Sequence, residues 1–155
     1  MRIDAAAIRA FPKFYYYLTV DIPNLASNQA IVGSIKSFSG KTTKATIKTA
    51  LKWGSDPEIK LVKNLICASS KAYGCYSWGS NVIQVEEQLV VDFEAGKGVK
   101  RRTTRGHDVY LLGATILHEL THWADAHDGV DDLVPGDPTN EEGNAFEKAV
   151  YGKVM

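Results

Sequence analysis

Hydrophobic and polar positions follow a helical period over most of the chain and a strand period over one stretch. Residues 109–123 are the longest apolar segment, with Leu111, Leu112, Ala114, Ile116, Leu117 and Leu120 on nearly every side of a helical projection, as in a buried central helix. One continuous helix over 109–127 is expected, with Asp108 able to cap it. In residues 27–38, Ala30, Ile31, Ile35 and Phe38 recur at helical spacing and Gly40 closes the helix. Thr42 or Thr43 caps the next, which runs to Leu51 or Trp53 with Ala45, Ile47 and Leu51 on one side. Residues 3–10 read as a short helix stopped by Pro12, and residues 13–20 as an aromatic, β-branched segment whose Tyr15, Tyr16 and Tyr17 belong to core and rim. A turn occupies 53–57, and residues 58–66 are too short and mixed to assign.

Strand periodicity falls in residues 81–94, where Ile83, Val85, Leu89, Val91 and Phe93 take odd positions and Gln84, Glu86, Gln88 and Asp92 even ones. Glu87 interrupts the apolar face, which implies either two short pieces with a bulge or a strand to Val85 followed by a helical turn. Polar, glycine-bearing residues 96–106 suggest a mobile loop, and a final helix is expected over 139–151. The expected fold class is α+β, mainly helical, with a small sheet beside the 109–127 helix. Residues 1–155 form a single domain, the first 80 or so mainly helical and 81–155 holding the chemistry.

With 155 residues and 45% hydrophobic content, the chain suits one domain with a real core. Its 18 basic residues balance 18 acidic ones, so nothing suggests electrostatic capture of nucleic acid or an anionic membrane. The one basic cluster, Lys100, Arg101, Arg102 and Arg105, falls in the Gly- and Thr-bearing loop and reads as a solvated turn. No signal peptide is expected from the first residues, and no segment approaches the roughly 20 apolar residues of a membrane span. Cys67 and Cys75 form a disulfide or stay free thiols; without CxxC spacing they are left out of the active site.

The apolar helix contains His118-Glu119-Leu120-Thr121-His122. Two histidines four apart lie on one helix face and can share a metal ion, while Glu119, about 100° round, can meet a water on that metal without being a ligand. A catalytic zinc takes three protein ligands, so a third must come from downstream. With Glu142 at zero on a helical wheel, Phe146, Ala145, Ala149 and Val150 fall within about 80°, whereas Glu147 lies near 140° and Glu141 near 100° on the other side. Glu142 then points into the core as the metal's third ligand, or else serves a capping box with Thr139. Asp128 ranks second as third ligand and Glu147 third. Asp125, Asp128, Asp131, Asp132 and Asp137 form an acidic set that might bind calcium but lacks the EF-hand spacing.

His118-Glu119-x-x-His122 followed twenty positions later by Glu142 resembles the gluzincin arrangement, in which that downstream Glu is the third zinc ligand. The wider set of His118-Glu119-Leu120-Thr121-His122-Trp123-Ala124-Asp125, Asp128-Gly129, Glu141-Glu142-Gly143, Phe146-Glu147 and Val150-Tyr151-Gly152 is similar to the zincin-like metallopeptidase toxin domains at the C-termini of bacterial polymorphic toxins, of the Rhs or type VI secretion effector type. Trp53-Gly54 and Pro12-Lys13 share in that similarity. The resemblance implies a zincin-like fold, a Zn2+ cofactor held by His118, His122 and Glu142, Glu119 as catalytic base, and a protein or peptide substrate. It also implies delivery into a target cell by a larger secreted carrier, and a cognate immunity protein. Phe146 stands where a gluzincin has an acid behind its first His, and Asp125, on the same helix face, is the candidate replacement. A zincin lays an extended substrate along the strand edge preceding its HExxH helix, here within 81–94. Tyr151, His107 and His127 are candidates for stabilising the oxyanion. A regulatory zinc peptidase with a cytoplasmic partner and a non-catalytic zinc-stabilised binding module are the alternatives.

Overall fold

The protein's structure, a computed structural model, describes residues 1–127, 129–131, 134 and 141–155. α1 (Ala5–Ala10) is capped by the Asp4 carboxylate, which accepts from Ala7 N–H. Pro12 does not merely stop this helix but opens α2 (Pro12–Tyr16), where its missing N–H has no helical partner to lose. The aromatic segment continues as π-helix over Tyr17–Asp21 and the single turn α3 (Ile22–Asn24). Thr43, one of the two expected caps, caps α5 (Lys44–Ala50), and Asn28 caps α4 (Gln29–Ser37) in the same way.

β1 (Glu58–Val62) grows from the stretch too mixed to assign by pattern. The short hairpin β2 (Ile66–Cys67) and β3 (Ser70–Lys71) follows, then β4 (Gly74–Tyr76) and β5 (Val82–Glu86). β5 is central: it pairs in parallel with β1, Ile59 opposite Ile83, and antiparallel with β4, Tyr76 opposite Ile83. The strand within 81–94 is therefore not an edge, and β4 is the outer strand next to the site. Strand alternation ends at Glu86, whose carboxylate accepts from Gln88 N–H and starts α6 (Glu87–Glu94). Of the two readings of 81–94, strand followed by helix is the one observed, and the helical part runs well beyond one turn.

Residues 96–106 are not a plain loop, because β6 (Lys100–Arg102) pairs antiparallel with β7 (Asp108–Tyr110). Asp108 is thus a strand residue rather than a cap, and α7 (Leu111–Ala126) is shorter than the expected 109–127 helix. No side chain caps α7; Leu111 N–H is taken by Val99 O at 2.8 Å, so the hairpin satisfies a donor that a cap would have served. α8 (Glu142–Tyr151) closes the chain and ends on Gly152 at φ 80, a conformation glycine adopts without strain. The architecture is α+β. No helix of the described residues is long and apolar enough to cross a membrane.

α7 is the axis of the core. Every residue of it except His118 and His122 is buried, against Phe14 and Leu18 from the N-terminal helices, Ile35 of α4, Ile83 and Val85 of β5, and Phe146 of α8. Burial of each such side chain contributes about 1.5–3 kcal/mol, and the sum holds the helix rigid under the two part-buried rings. Tyr17 seals one flank: its hydroxyl lies where a Cβ on Gly113 would stand, with ring Cζ at 3.3 Å from that point. Burial, aided by Asp21 and Tyr110, pushes the Tyr17 phenol up to about 12. Gly113→Ala should therefore lower stability by about 1–3 kcal/mol in denaturant melts despite alanine's better helix propensity. Adding Tyr17→Phe should recover part of that loss; no loss in the single variant would show that Tyr17 simply yields.

Candidate metal centre

The four-residue spacing of His118 and His122 stacks their rings on one face of α7, centroids 5.1 Å apart. α8 packs against this face at very short range, because Gly143 has no Cβ; one placed there would overlap the His118 ring. Three carboxylates, from the N-cap, first residue and middle of α8, then meet the two imidazoles. Glu147 Oε1 lies 3.1 Å from His118 Nδ1, and Glu142 Oε2 lies 2.9 Å from His122 Nδ1. Glu141 takes the opposite side: its Oε1 is 2.5 Å from His122 Nε2 and 3.3 Å from His118 Nε2. Its Oε2 accepts the Asn144 N–H at 2.5 Å, so one side chain both caps α8 and faces the ring pair.

The expected third ligand, Glu142, thus has a carboxylate oxygen on the far nitrogen of His122, while Glu141 occupies the near side. His118, His122 and Glu141 each offer a donor atom within 4.8 Å of the others and could hold a metal ion. A helical wheel missed Glu141 because the residue precedes the helix, where extended backbone at φ −109, ψ 97 turns the side chain back. It also missed Glu147, ranked last as a ligand. The face of α8 against α7 runs through Gly143 and Glu147, one turn apart, so Glu147 is buried beside His118 although it points away from Phe146. Asp125 was the expected partner behind His118; Glu147 holds that place, braced by Met155 N–H on its Oε2 at 2.5 Å. Asp128 and Thr139 lie outside the described residues.

The donor set fits a divalent cation. A neutral imidazole has one N–H and one lone pair. With Nδ1 of each ring against a carboxylate, the N–H belongs there and the lone pair falls on Nε2, on the side of Glu141. Two lone pairs and a carboxylate oxygen converge, a mixed nitrogen and oxygen set that suits a divalent metal ion. Burial works to lower His118, but hydrogen bonds to Glu141 and Glu147 and the nearby Glu119 charge push it up to about 10. Burial likewise opposes His122, which Glu141 and Glu142 push up to about 9. Burial works to raise Glu141, yet the two imidazoles hold it below the usual carboxylate range.

Glu119 sits one step round α7, buried against β4, where a Cβ on Gly74 would come within 2.5 Å of Oε1. Burial pushes its carboxyl up, and His118 and His122 pull it down. Glu119, His118, His122 and Glu141 line a cleft of about 400 Å³ whose other wall is Cys67, Ala68, Tyr76 and Trp78. Cys67 and Cys75 are joined in a disulfide, so the pair left out of the active site in fact staples β2 to β4 along this wall. A loop of that size contributes roughly 2–3 kcal/mol by restricting the unfolded chain. None of the expected oxyanion candidates lines the cleft: Tyr151 is buried edge-on to Phe146, His127 stacks on Trp123 at 4.7 Å, and His107 is exposed near the β6–β7 turn.

No curated protein and no solved structure matches the chain. One family model does, that of metallopeptidase toxin 3, over residues 7–152. That span runs from within α1 to the end of α8 and takes in His118, Glu119, His122, Glu141, Glu142 and Glu147, and on this ground the chain belongs to the metallopeptidase toxin 3 family.

Proposed function

We propose that the chain is a zinc-dependent endopeptidase of zincin type, carried into a target cell as a toxin effector and neutralised in its producer by an immunity protein. One observation carries the chemical part: the two HExxH imidazoles turn Nε2 toward one carboxylate oxygen while both Nδ1 atoms are met by other carboxylates. His118, His122 and Glu141 are then the zinc ligands. Glu142 and Glu147 orient the rings by accepting from Nδ1, the role commonly filled behind metal-bound histidines.

Zinc supplies Lewis acidity, acidifying a water and polarising a peptide carbonyl. Glu119 would accept a proton from the attacking water at its carboxylate and pass it to the leaving amine. Its burial against Gly74 raises the carboxylate's basicity, against the pull of His118 and His122. β4 is the outer strand of its sheet, so an extended peptide can pair with its free edge and lie across the cleft above the histidines. The exposed Trp78 offers an apolar contact for substrate side chains.

Glu119→Gln should retain zinc and lose peptidase activity by about a hundred- to ten-thousandfold in a digest of a peptide library, whereas loss of zinc would make Glu119 a ligand or a structural brace. Glu141→Gln keeps an oxygen for the α8 cap but removes the anionic ligand. Its zinc affinity, measured by competition with a chromogenic chelator, should fall further than the roughly 10–100-fold expected for Glu142→Gln. The reverse order would return Glu142 to the ligand position. Gly74→Ala should displace Glu119 and lower kcat with zinc content unchanged; full activity would mean that Glu119 does not act from its present place.

A further inference from the structure

Glu142 has more to do than hold His122. Its Oε2 is used on the imidazole, but the residue is only 5% exposed, and its second oxygen, Oε1, is buried with no hydrogen-bond partner among the described residues. A buried carboxylate oxygen left bare is costly, by about 1–3 kcal/mol or more for a charged group. The carboxylate does not stand alone. Asp125, one turn of α7 beyond Thr121 and 1% exposed, and Asp131, on the exposed chain beyond α7, each bring a carboxylate oxygen to within 4.8 Å of it and of each other. Three carboxylates gathered this closely, one of them with a bare buried oxygen, are a donor set that a cation satisfies.

We propose that Asp125, Asp131 and Glu142 bind a calcium ion, separate from the zinc formed on His118, His122 and Glu141. Calcium takes oxygen ligands at roughly 2.3–2.6 Å in irregular arrangements, so oxygens within 4.8 Å of one another can all reach one ion. An all-carboxylate set without nitrogen or sulfur favours such a hard ion over zinc. Asp125 and Asp131 make other contacts as well, which a carboxylate with about four lone-pair positions can do while still ligating. The site ties three parts of the chain together. Asp125 belongs to the end of α7, Asp131 to the segment after it and Glu142 to the first turn of α8, so calcium clamps the two helices whose apposition builds the metal centre. Glu142 would then link the two ions, with one oxygen on calcium and the other on the imidazole of a zinc ligand.

The test uses the full chain loaded with zinc and freed of calcium by dialysis. Calcium chloride is titrated at fixed zinc, with uptake read by equilibrium dialysis with radioactive calcium, zinc content by mass spectrometry and stability by thermal melting. One calcium per chain is expected, half-saturating between about 10 µM and 1 mM, with a rise in Tm. Asp131→Asn, at an exposed position that leaves the fold intact, should weaken calcium uptake at least tenfold while keeping one zinc per chain. Asp125→Asn, checked for folding by circular dichroism, should do the same. No uptake up to about 10 mM calcium, uptake unchanged in both variants, or an equal Tm rise with magnesium alone would overturn the proposal. Zinc content is read separately, so failure here leaves the peptidase reading standing, and loss of that reading leaves this one.

Discussion

Carboxylates behind imidazoles are the interaction on which the rest of this structure depends. A histidine ring on a helix surface is free to rotate and to choose either tautomer; Glu142 and Glu147 remove both freedoms by accepting from Nδ1 of His122 and His118. For them to do so, α8 must come close enough for its backbone to touch the His118 ring, and only glycine at 143 permits that approach. The helix pair is therefore a functional unit as much as a packing unit. α7 supplies the rings, α8 the groups that aim them, and Glu141, at the junction, a carboxylate that caps one helix and faces the metal side of the other.

The opposite wall of the cleft is built on different physics. Its elements are short, β2 and β3 having two residues each, and cannot hold themselves by ladder bonds alone. The Cys67–Cys75 disulfide holds β2 to β4 within this wall, and the close approach of Gly74 to Glu119 ties the wall to α7. A rigid helical side thus carries the candidate metal-binding and acid–base groups, while on the stapled β side β4 has no second strand partner among the described residues. Membership of the metallopeptidase toxin 3 family accords with this division of labour, since a peptidase needs fixed chemistry on one side and a general means of holding backbone on the other.

Much of this was legible in the chain itself, where the cause is local. Four-residue spacing puts His118 and His122 on one helical face whatever the surroundings, and an apolar residue on nearly every side of residues 111–126 can only mean burial. Asn28 and Thr43 bond the backbone two or three residues ahead, so their caps are set by sequence neighbours. What required tertiary structure was every choice between nearby acids. Glu141 and Glu142 are adjacent, and the wheel favours Glu142; the backbone turn at the start of α8 decides which of them faces Nε2 and which faces Nδ1. Glu147 is read as outward by its own helix and made inward by the approach of α7 at Gly143. Likewise Asp108 is a good cap by composition, but pairing between β6 and β7, two segments with no hydrophobic period, draws it into a strand. Local periodicity reports which face of an element is apolar; which polar group ends up opposite which depends on how two elements meet, a distance of a few ångströms that no single segment encodes.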